Sequence, residues 1–472
     1  MLSIEEIVRA LGPELLAKSG PCDIAFPRVV IDSRSTGRGD LFVALPGEHH
    51  NGHDFIGDAV RQGARGVIGR TLPLDLPQDV VAFRVGDSLA ALQRLAAGWR
   101  AQHKLGVIGV TGSVGKTTAK ELVAAVLSSR YRVLKSEGNL NTEIGIPLTL
   151  LGLTDEHQRA VLEMAMFAPG EISLLCQIAR PSVGVVTNVG PVHLERLGSM
   201  EAIAAAKAEL VQSLPSEGWA ILNGDDPWVV AMAAKTRAQV LYYGTGRGCQ
   251  LRGEGVTSRG LDGITFRLHY QDQQAMVSLP LPGRHNVYHA LAAAAVGLLE
   301  GMGMEEIAGA LARAQVLQRL RVLTGRGGCT ILDDTYNASP ASMLAALDLL
   351  AEMPGRRIAL LGDMRELGEY AAQGHRRVGE RAATAADVLL TVGELGHLIA
   401  VAAQEAGHPQ VLPFTNREEA ATALAELARE GDFVLLKASR ALGLEAVAER
   451  LREAGPPSSG ALPQAGARIR KG

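Results

Sequence analysis

Residues 107–118 read VIGVTGSVGKTT, an apolar run that passes through a glycine-bearing loop into Lys116, Thr117 and Thr118. Apolar side chains then recur at 119, 122, 123, 126 and 127, the spacing of one helix face. This segment commits the chain to strand, tight turn and helix in that order, the repeating unit of a parallel α/β sheet. Main-chain N–H groups in such a turn, backed by the helix N-terminus, bind phosphate oxygens. Lys116 then reaches the β- and γ-phosphates, and the Thr117 hydroxyl is placed for Mg²⁺. The strict pattern GxxxxGK[ST] is missed by one place, because Gly109 stands early and position 110 is Val. A chance Gly-Lys-Thr in a turn is the competing reading. The strand–loop–helix setting favours a nucleoside triphosphate site over it.

The same alternation organises the rest of the chain. From residue 105 onward, apolar runs at 106–110, 160–163, 183–187 and 219–222 are separated by amphipathic stretches, as in a parallel sheet covered on both faces. Before them, strands are predicted at 29–31, 41–44 and 66–68, with helices over 55–62 and 88–101. A polar stretch at 242–277 reads as a β-rich excursion, and the segment PGRHNVYHALAAAAVGLL opens a helix after it. A second α/β set carries strands at 329–332, 358–361, 388–391 and 433–436. A length of 472 residues suits about three domains. The division predicted is 1–101, 102–313 and 314–455, with a Pro/Gly/Ser-rich tail at 456–472 expected to be disordered. The fold class is α/β: a small N-terminal α/β domain, a central P-loop parallel-sheet domain and a C-terminal Rossmann-like α/β domain.

Composition excludes several classes of function. Lys and Arg total 47 against 50 Asp and Glu, a net charge of −3, so no global basic footprint exists for nucleic acid or a membrane surface. Cys22, Cys176, Cys249 and Cys329 form no CxxC pair and are expected as buried reduced thiols, not a disulfide framework or zinc site. The start, MLSIEEIVRALG, predicts an amphipathic helix and lacks a signal-peptide layout. The apolar run at 290–299 is far shorter than the roughly 18–20 residues that span a bilayer. A cytoplasmic, monomeric protein with no nucleic-acid partner and no membrane insertion is expected.

Two further residues sit where the phosphate-loop strand predicts chemistry. Glu163 ends the run VLE, and an acid there faces the crevice at the carboxyl ends of a parallel sheet. His193 follows the next strand in TNVGPVHLE. Alone, each fits a surface charge or a hydrogen-bonded loop histidine. Their parallel placement beside the phosphate loop favours metal or phosphate duty, and Mg²⁺ needs only one or two protein ligands beyond Thr117. In the second α/β set the strands end in Asp333-Asp334, in Gly362-Asp363-Met364 and in Lys437-Ala438-Ser439-Arg440. One such acid is ordinary turn chemistry, whereas several converging strand ends suggest a second polar binding surface.

Longer segments carry a family resemblance. IDSRSTGRGDLFVALPGEHHNGHDF, NLNTEIGIPLTLL, EMAMFAPGEI, DDTYNASPASMLAAL, LLGDMRELGEYAAQGHRRVG and LLKASRALGLE, spread over about residues 29–448, resemble the ATP-dependent Mur ligases of bacterial cell-wall synthesis. They look most like the members that add a D-alanyl-D-alanine dipeptide. The resemblance implies ATP and Mg²⁺ as cofactors. It also implies UDP-MurNAc-tripeptide and D-Ala-D-Ala as substrates, joined through an acyl phosphate in peptidoglycan precursor synthesis. The N-terminal domain would hold the UDP-substrate, the central domain ATP, and the C-terminal domain would complete the ligase.

Position by position, Thr111, Gly112, Ser113, Gly115, Lys116, Thr117 and Thr118 match the family's nucleotide loop. Glu163 and His193 match its metal-site pair. Lys207, in AIAAAKAEL, stands where several members carry a carbamylated lysine that helps hold a second Mg²⁺, an ordinary solvated lysine being the alternative. Lys116, Glu163, His193 and Lys207 are the implied catalytic set, with Thr117, Glu163, His193 and Lys207 on metal. Asn286 and His289 match adenine-contacting positions, and Arg319, Asp334 and Asn337 match other nucleotide positions. Ser33 and Arg34 match the segment near the UDP end, and Asn141 is a further substrate position. Departures are His289 for a second Asn, Thr142 for the second Asn of a pair, Ser339 for the Asn of YNANP, and AMF at 165–167 for Gly-Ala-Asn. The alternatives are the sibling that adds the third peptide residue, a folylpolyglutamate-type synthetase, and a non-ligase P-loop regulatory module. YNASPASM and GDMRELG speak against the first two, and Glu163, His193 and Lys207 in register speak against the third.

Overall fold

The structure is a computed structural model and describes residues 1–47, 49–316 and 320–452. The predicted tail at 456–472 lies outside the described residues, as does Arg319. The chain divides into two compact units, Met1–Gln318 with Glu366–Tyr370, and Arg319–Arg365 with Ala371–Gly472.

The first unit begins with the expected amphipathic helix, Ile4–Leu11. Ser3 caps it by accepting from the Glu6 N–H while the Glu6 side chain returns to the Ser3 N–H, so two N-terminal donors are satisfied reciprocally. Ile7 and Leu11 turn into a core behind a five-stranded sheet. Its order is Leu15–Ser19, Val81–Val85, Gly66–Gly69, Leu41–Val43, Val29–Val30, antiparallel only at the first pair. The last three strands fall where the sequence places them. The first two went unpredicted: Leu15–Ser19 is a half-exposed edge strand, and Val81–Val85 follows a Pro-rich stretch that masks it.

The helix Ser88–Gln102 joins this domain to the next. Ala91, Leu92 and Leu95 face the first core, while Ala96, Ala97 and Trp99 pack into the second. Trp99 Nε1 donates to the Leu153 carbonyl at 3.1 Å, and Arg100 Nε to that of Ala179 at 3.0 Å.

A nine-stranded sheet then builds outward from Gly106–Thr111. On one side lie Arg159–Glu163 and Val133–Lys135; on the other lie Val183–Val186, Trp219–Asn223, Gln239–Gly244 and Leu251–Ser258, all parallel. Ile264–Tyr270 and Gln273–Leu279 complete it as antiparallel strands. The polar stretch after residue 242 is thus an extension of the parallel sheet. Strand order reverses at Gly106–Thr111, so the crevice at the switch point opens at the phosphate loop.

The phosphate-loop helix, Lys116–Leu127, buries all five predicted apolar positions. It also buries Ala124, in a core shared with a second helix, Asn286–Leu299, and Lys120 and Glu121, which meet Ser136 and Lys135 beside it. That covering helix is apolar nearly all round, which suits complete burial.

The second unit holds a six-stranded sheet in the order Arg321–Thr324, Thr330–Asp333, Phe433–Lys437, Arg357–Gly362, Val388–Val392, Val411–Phe414, parallel except at its first pair. Four of these strands match the sequence reading; the two edge strands, half-exposed and one of them carrying Pro413, were not foreseen. Three cysteines are buried as expected, but Cys22 is exposed and corrects that expectation. Its neighbours, Gly20, Pro21 and Asp23, form a polar turn that cannot bury it. Among the described residues, no helix is long and apolar enough to cross a membrane.

Candidate active site

The strand Gly106–Thr111 delivers the chain into the loop at the switch point. Gly112 has φ +148°, and a Cβ there would lie 1.9 Å from Thr187 Oγ1. Gly115 has φ +84°, and its Cβ would lie 1.9 Å from His289 Nε2. Both positions therefore demand glycine on conformation and on space. Thr111 Oγ1 donates to the Met164 carbonyl at 2.8 Å, tying the loop's entry to the residue after Glu163. Ser113 is buried, and Thr118 is half-buried on the first helical turn.

Thr117 and Glu163 meet. The Thr117 hydroxyl donates to Glu163 Oε2 at 2.8 Å, and Asn141 Nδ2 donates to Oε1 at 2.9 Å. The Glu163 N–H in turn donates to Ser136 Oγ at 3.0 Å. Asn141, expected as a substrate residue, is thus brought onto the carboxylate of Glu163. Ser136 was not foreseen at all, since a lone serine leaves no spacing signal.

Lys116 Nζ donates to the Gly112 carbonyl at 2.9 Å, and Lys207 Nζ donates to the same oxygen at 3.1 Å. Burial, and then the neighbouring charge of Lys116, push the Lys207 ammonium well below the usual lysine range. Lys207 is therefore no solvated helix lysine. His193 has φ +59°, in the left-handed region. Its Nδ1 lies 2.5 Å from Glu366 Oε2, within the first unit, and its ring meets Phe167 edge-on at 5.1 Å. Burial lowers its pKa, Glu366 opposes that, and the charges of Lys207 and Lys116 add to the lowering. Lys116, Lys207 and His193 thus share one electrostatic neighbourhood.

The donor set suits Mg²⁺. It offers a carboxylate and a hydroxyl in contact beside a phosphate loop, and Mg²⁺ favours oxygen ligands, few protein groups and phosphate. Among the described residues, no three His, Cys, Asp or Glu side chains form a ready-made cage for an ion that would demand one.

Asn286 and His289 lie behind the loop. Asn286 Nδ2 donates to the Pro282 carbonyl at 2.7 Å, which orients its amide, so His289 Nδ1 donates to Asn286 Oδ1 at 3.0 Å. His289 is buried beneath Gly115, and burial pushes its pKa down to about 3. Elsewhere in the first unit, Ser33 is buried in a short turn capped by Asp32, and the exposed Arg34 pairs with Asp32 at 2.7 Å. In the second unit, buried Lys437 Nζ reaches Asp334 Oδ2 at 2.5 Å and the Asn337 carbonyl at 3.0 Å.

Comparison with known proteins covers nearly the whole chain. The Mur ligase catalytic-domain model matches residues 26–100, the Mur ligase middle-domain model 110–297, and the Mur ligase glutamate ligase domain model 318–440. A UDP-N-acetylmuramoyl-tripeptide–D-alanyl-D-alanine ligase from Synechocystis sp. is 40% identical over 442 residues, covering 92% of this chain and 94% of the relative. The chain belongs to the Mur ligase family. A crystal structure of MurF from Acinetobacter baumannii aligns at a TM-score of 0.85 and 31% identity, over 95% of this chain and 98% of that one. MurF ligase from Thermotoga maritima in complex with ADP aligns at 0.79 and 32%, over 90% and 96%. The chain has the three-domain Mur ligase organisation, with its N-terminal and central domains packed into the first unit.

Proposed function

We propose that this Mur ligase joins D-alanyl-D-alanine to the terminal carboxylate of UDP-MurNAc-tripeptide, using ATP, in peptidoglycan precursor synthesis. The observation that carries this reading is the phosphate loop with Thr117 and Glu163 in contact at its helix start, in a chain that matches ligases of that name along its length. The UDP end is assigned to the N-terminal domain (1–101), ATP to the central domain (102–313) and the incoming dipeptide to the C-terminal domain (314–455).

A tripeptide carboxylate oxygen attacks the γ-phosphorus of ATP, and the bond from that phosphorus to the ADP oxygen breaks. The dipeptide amine then attacks the acyl-phosphate carbonyl carbon to give a tetrahedral intermediate. Its collapse expels phosphate, and the nitrogen loses a proton as the amide forms. Phosphoryl transfer of this kind depends on positioning and on charge neutralisation. Lys116 supplies a positive charge at the loop, and its bond to the Gly112 carbonyl holds it over the crevice. Mg²⁺, when bound, neutralises phosphate charge, with Thr117, Glu163 and His193 assigned to hold it.

Lys207 fits the carbamate role. Its lowered pKa raises the share of free amine, whose lone pair can add to CO₂ while a proton leaves, giving a carbamate that offers oxygen ligands. Ser33 and Arg34 are assigned to the UDP end, and Asn286, His289, Arg319, Asp334 and Asn337 to the nucleotide. The side chains of Asn286 and His289 are engaged with each other, so they act on adenine by shaping its pocket.

The test is phosphate release from ATP with purified UDP-MurNAc-tripeptide. Release is expected only when D-Ala-D-Ala is also present. Equal release with free lysine or diaminopimelate as acceptor would overturn the dipeptide assignment.

A further inference from the structure

The loop between the strand Val183–Val186 and His193, residues 187–190, grips the phosphate loop through a set of reciprocal hydrogen bonds. The Asn188 side chain brackets a single residue: its Oδ1 accepts from the Val114 N–H at 2.9 Å, and its Nδ2 donates to the Val114 carbonyl at 2.8 Å. The two bonds fix the amide's orientation, because only one assignment of O and N satisfies both. The Ser113 N–H donates to the Asn188 carbonyl at 2.9 Å. Ser113 Oγ accepts from the Gly190 N–H at 2.8 Å, and Thr187 Oγ1 donates to the Val114 carbonyl at 2.8 Å. The gripping segment is itself anchored, since Asn223 Nδ2 donates to the Thr187 carbonyl at 2.8 Å and Asp226 accepts from the Val189 N–H at 2.8 Å.

We propose that Asn188 is a positioning residue that holds the phosphate loop in its nucleotide-binding shape before nucleotide arrives. The loop needs such a clamp. Its two glycines, both at positive φ, are conformationally permissive, and a loop ordered only on binding loses affinity to that ordering. The N–H groups of Ser113 and Val114 are spent on the clamp, so the cradle for phosphate begins at Gly115 and the first helical turn. Asn188 acts through Val114 and makes no contact with nucleotide itself. The inference rests on the reading of 112–118 as the nucleotide site.

The test measures mant-ADP affinity on the full chain, with hydrogen exchange of the peptide that contains Val114. Asn188→Ala removes both bonds and is expected to weaken mant-ADP about tenfold. Exchange at Val114 should quicken, while the KM for D-Ala-D-Ala stays at its wild-type value. Asn188→Asp keeps the side chain's shape and the acceptor but loses the donor, and it sets a carboxylate beside the Val114 carbonyl. It should weaken mant-ADP further, and it serves if the alanine variant fails to fold. Lys116→Ala is the control. If it binds mant-ADP like wild type, the nucleotide assignment fails. If it loses binding while a folded Asn188 variant keeps wild-type affinity and exchange, the clamp alone is overturned.

Discussion

His289 shows how much one residue's role depends on what packs against it. In the sequence it reads as a departure from an adenine-contacting Asn, because only its position in PGRHNVYHALAA is visible. Folding puts its Nε2 under Gly115 and its Nδ1 on Asn286, so it supports the loop from below. Burial, reinforced by the nearby charge of His285, holds its pKa at about 3, whereas an unfolded histidine titrates near 6.5. Below about pH 6.5 the unfolded chain takes up a proton that the folded chain refuses, so stability contributed by neutral His289 is lost as pH falls towards 3. At pH 5 the loss is about 2 kcal/mol. His289→Asn should therefore lose less stability between pH 7.5 and pH 5 in urea denaturation than wild type does. Equal losses in the two proteins would count against it. The placement of Lys116, Thr117 and Glu163 was legible for the opposite reason: the Gly-Lys-Thr turn and the strand-end position of Glu163 are local features of the sequence itself.

The phosphate-loop helix was read correctly as an element and incompletely as a surface. Its apolar face at 119, 122, 123, 126 and 127 is buried as the spacing demands. Lys120 and Glu121 are buried as well, and periodicity would place both in solvent. Their partners come from a separate strand: Glu121 lies 2.9 Å from Lys120 Nζ and 2.5 Å from Lys135 Nζ. Lys120 Nζ also donates to the Ser136 carbonyl at 2.6 Å. Burial alone would raise the Glu121 pKa, but Lys135 and Lys120 outweigh it and hold the carboxyl below its usual range. The helix thereby reaches Ser136, the residue that accepts from the Glu163 N–H. Glu121→Gln leaves Lys120, 1% exposed, with an uncompensated buried charge. Breaking one side of a buried pair costs about 3 kcal/mol or more. Urea denaturation at pH 7.5 should show a loss of that size, and a loss below about 1 kcal/mol would mean that water reaches Lys120.

At the scale of the whole molecule, the predicted boundary at 101/102 falls between two family-model matches, 26–100 and 110–297, without separating two cores. The sequence places it where a clearer strand pattern begins, and that pattern carries no information about which face of the preceding helix is shared. Ser88–Gln102 gives Leu92 and Leu95 to the N-terminal core and Ala96 to the central one. Ile144, Leu148 and Leu151 return from the central domain to pack against the N-terminal core, and Gln93 Nε2 donates to the Glu143 carbonyl at 3.2 Å. A fragment of residues 1–101 would expose those contacts. Residues 320–452 contain their whole six-stranded sheet and a core of their own, with Ile331, Leu360, Leu390, Val434 and Leu436 at its centre. Expressed separately, 320–452 should melt as one cooperative transition by circular dichroism, whereas 1–101 should show none. In the intact chain, residues 1–316 should unfold together, because no cut near 101 leaves both cores covered. A fragment of 1–101 with a sharp melt of its own would show that its core closes without Ile144, Leu148 and Leu151.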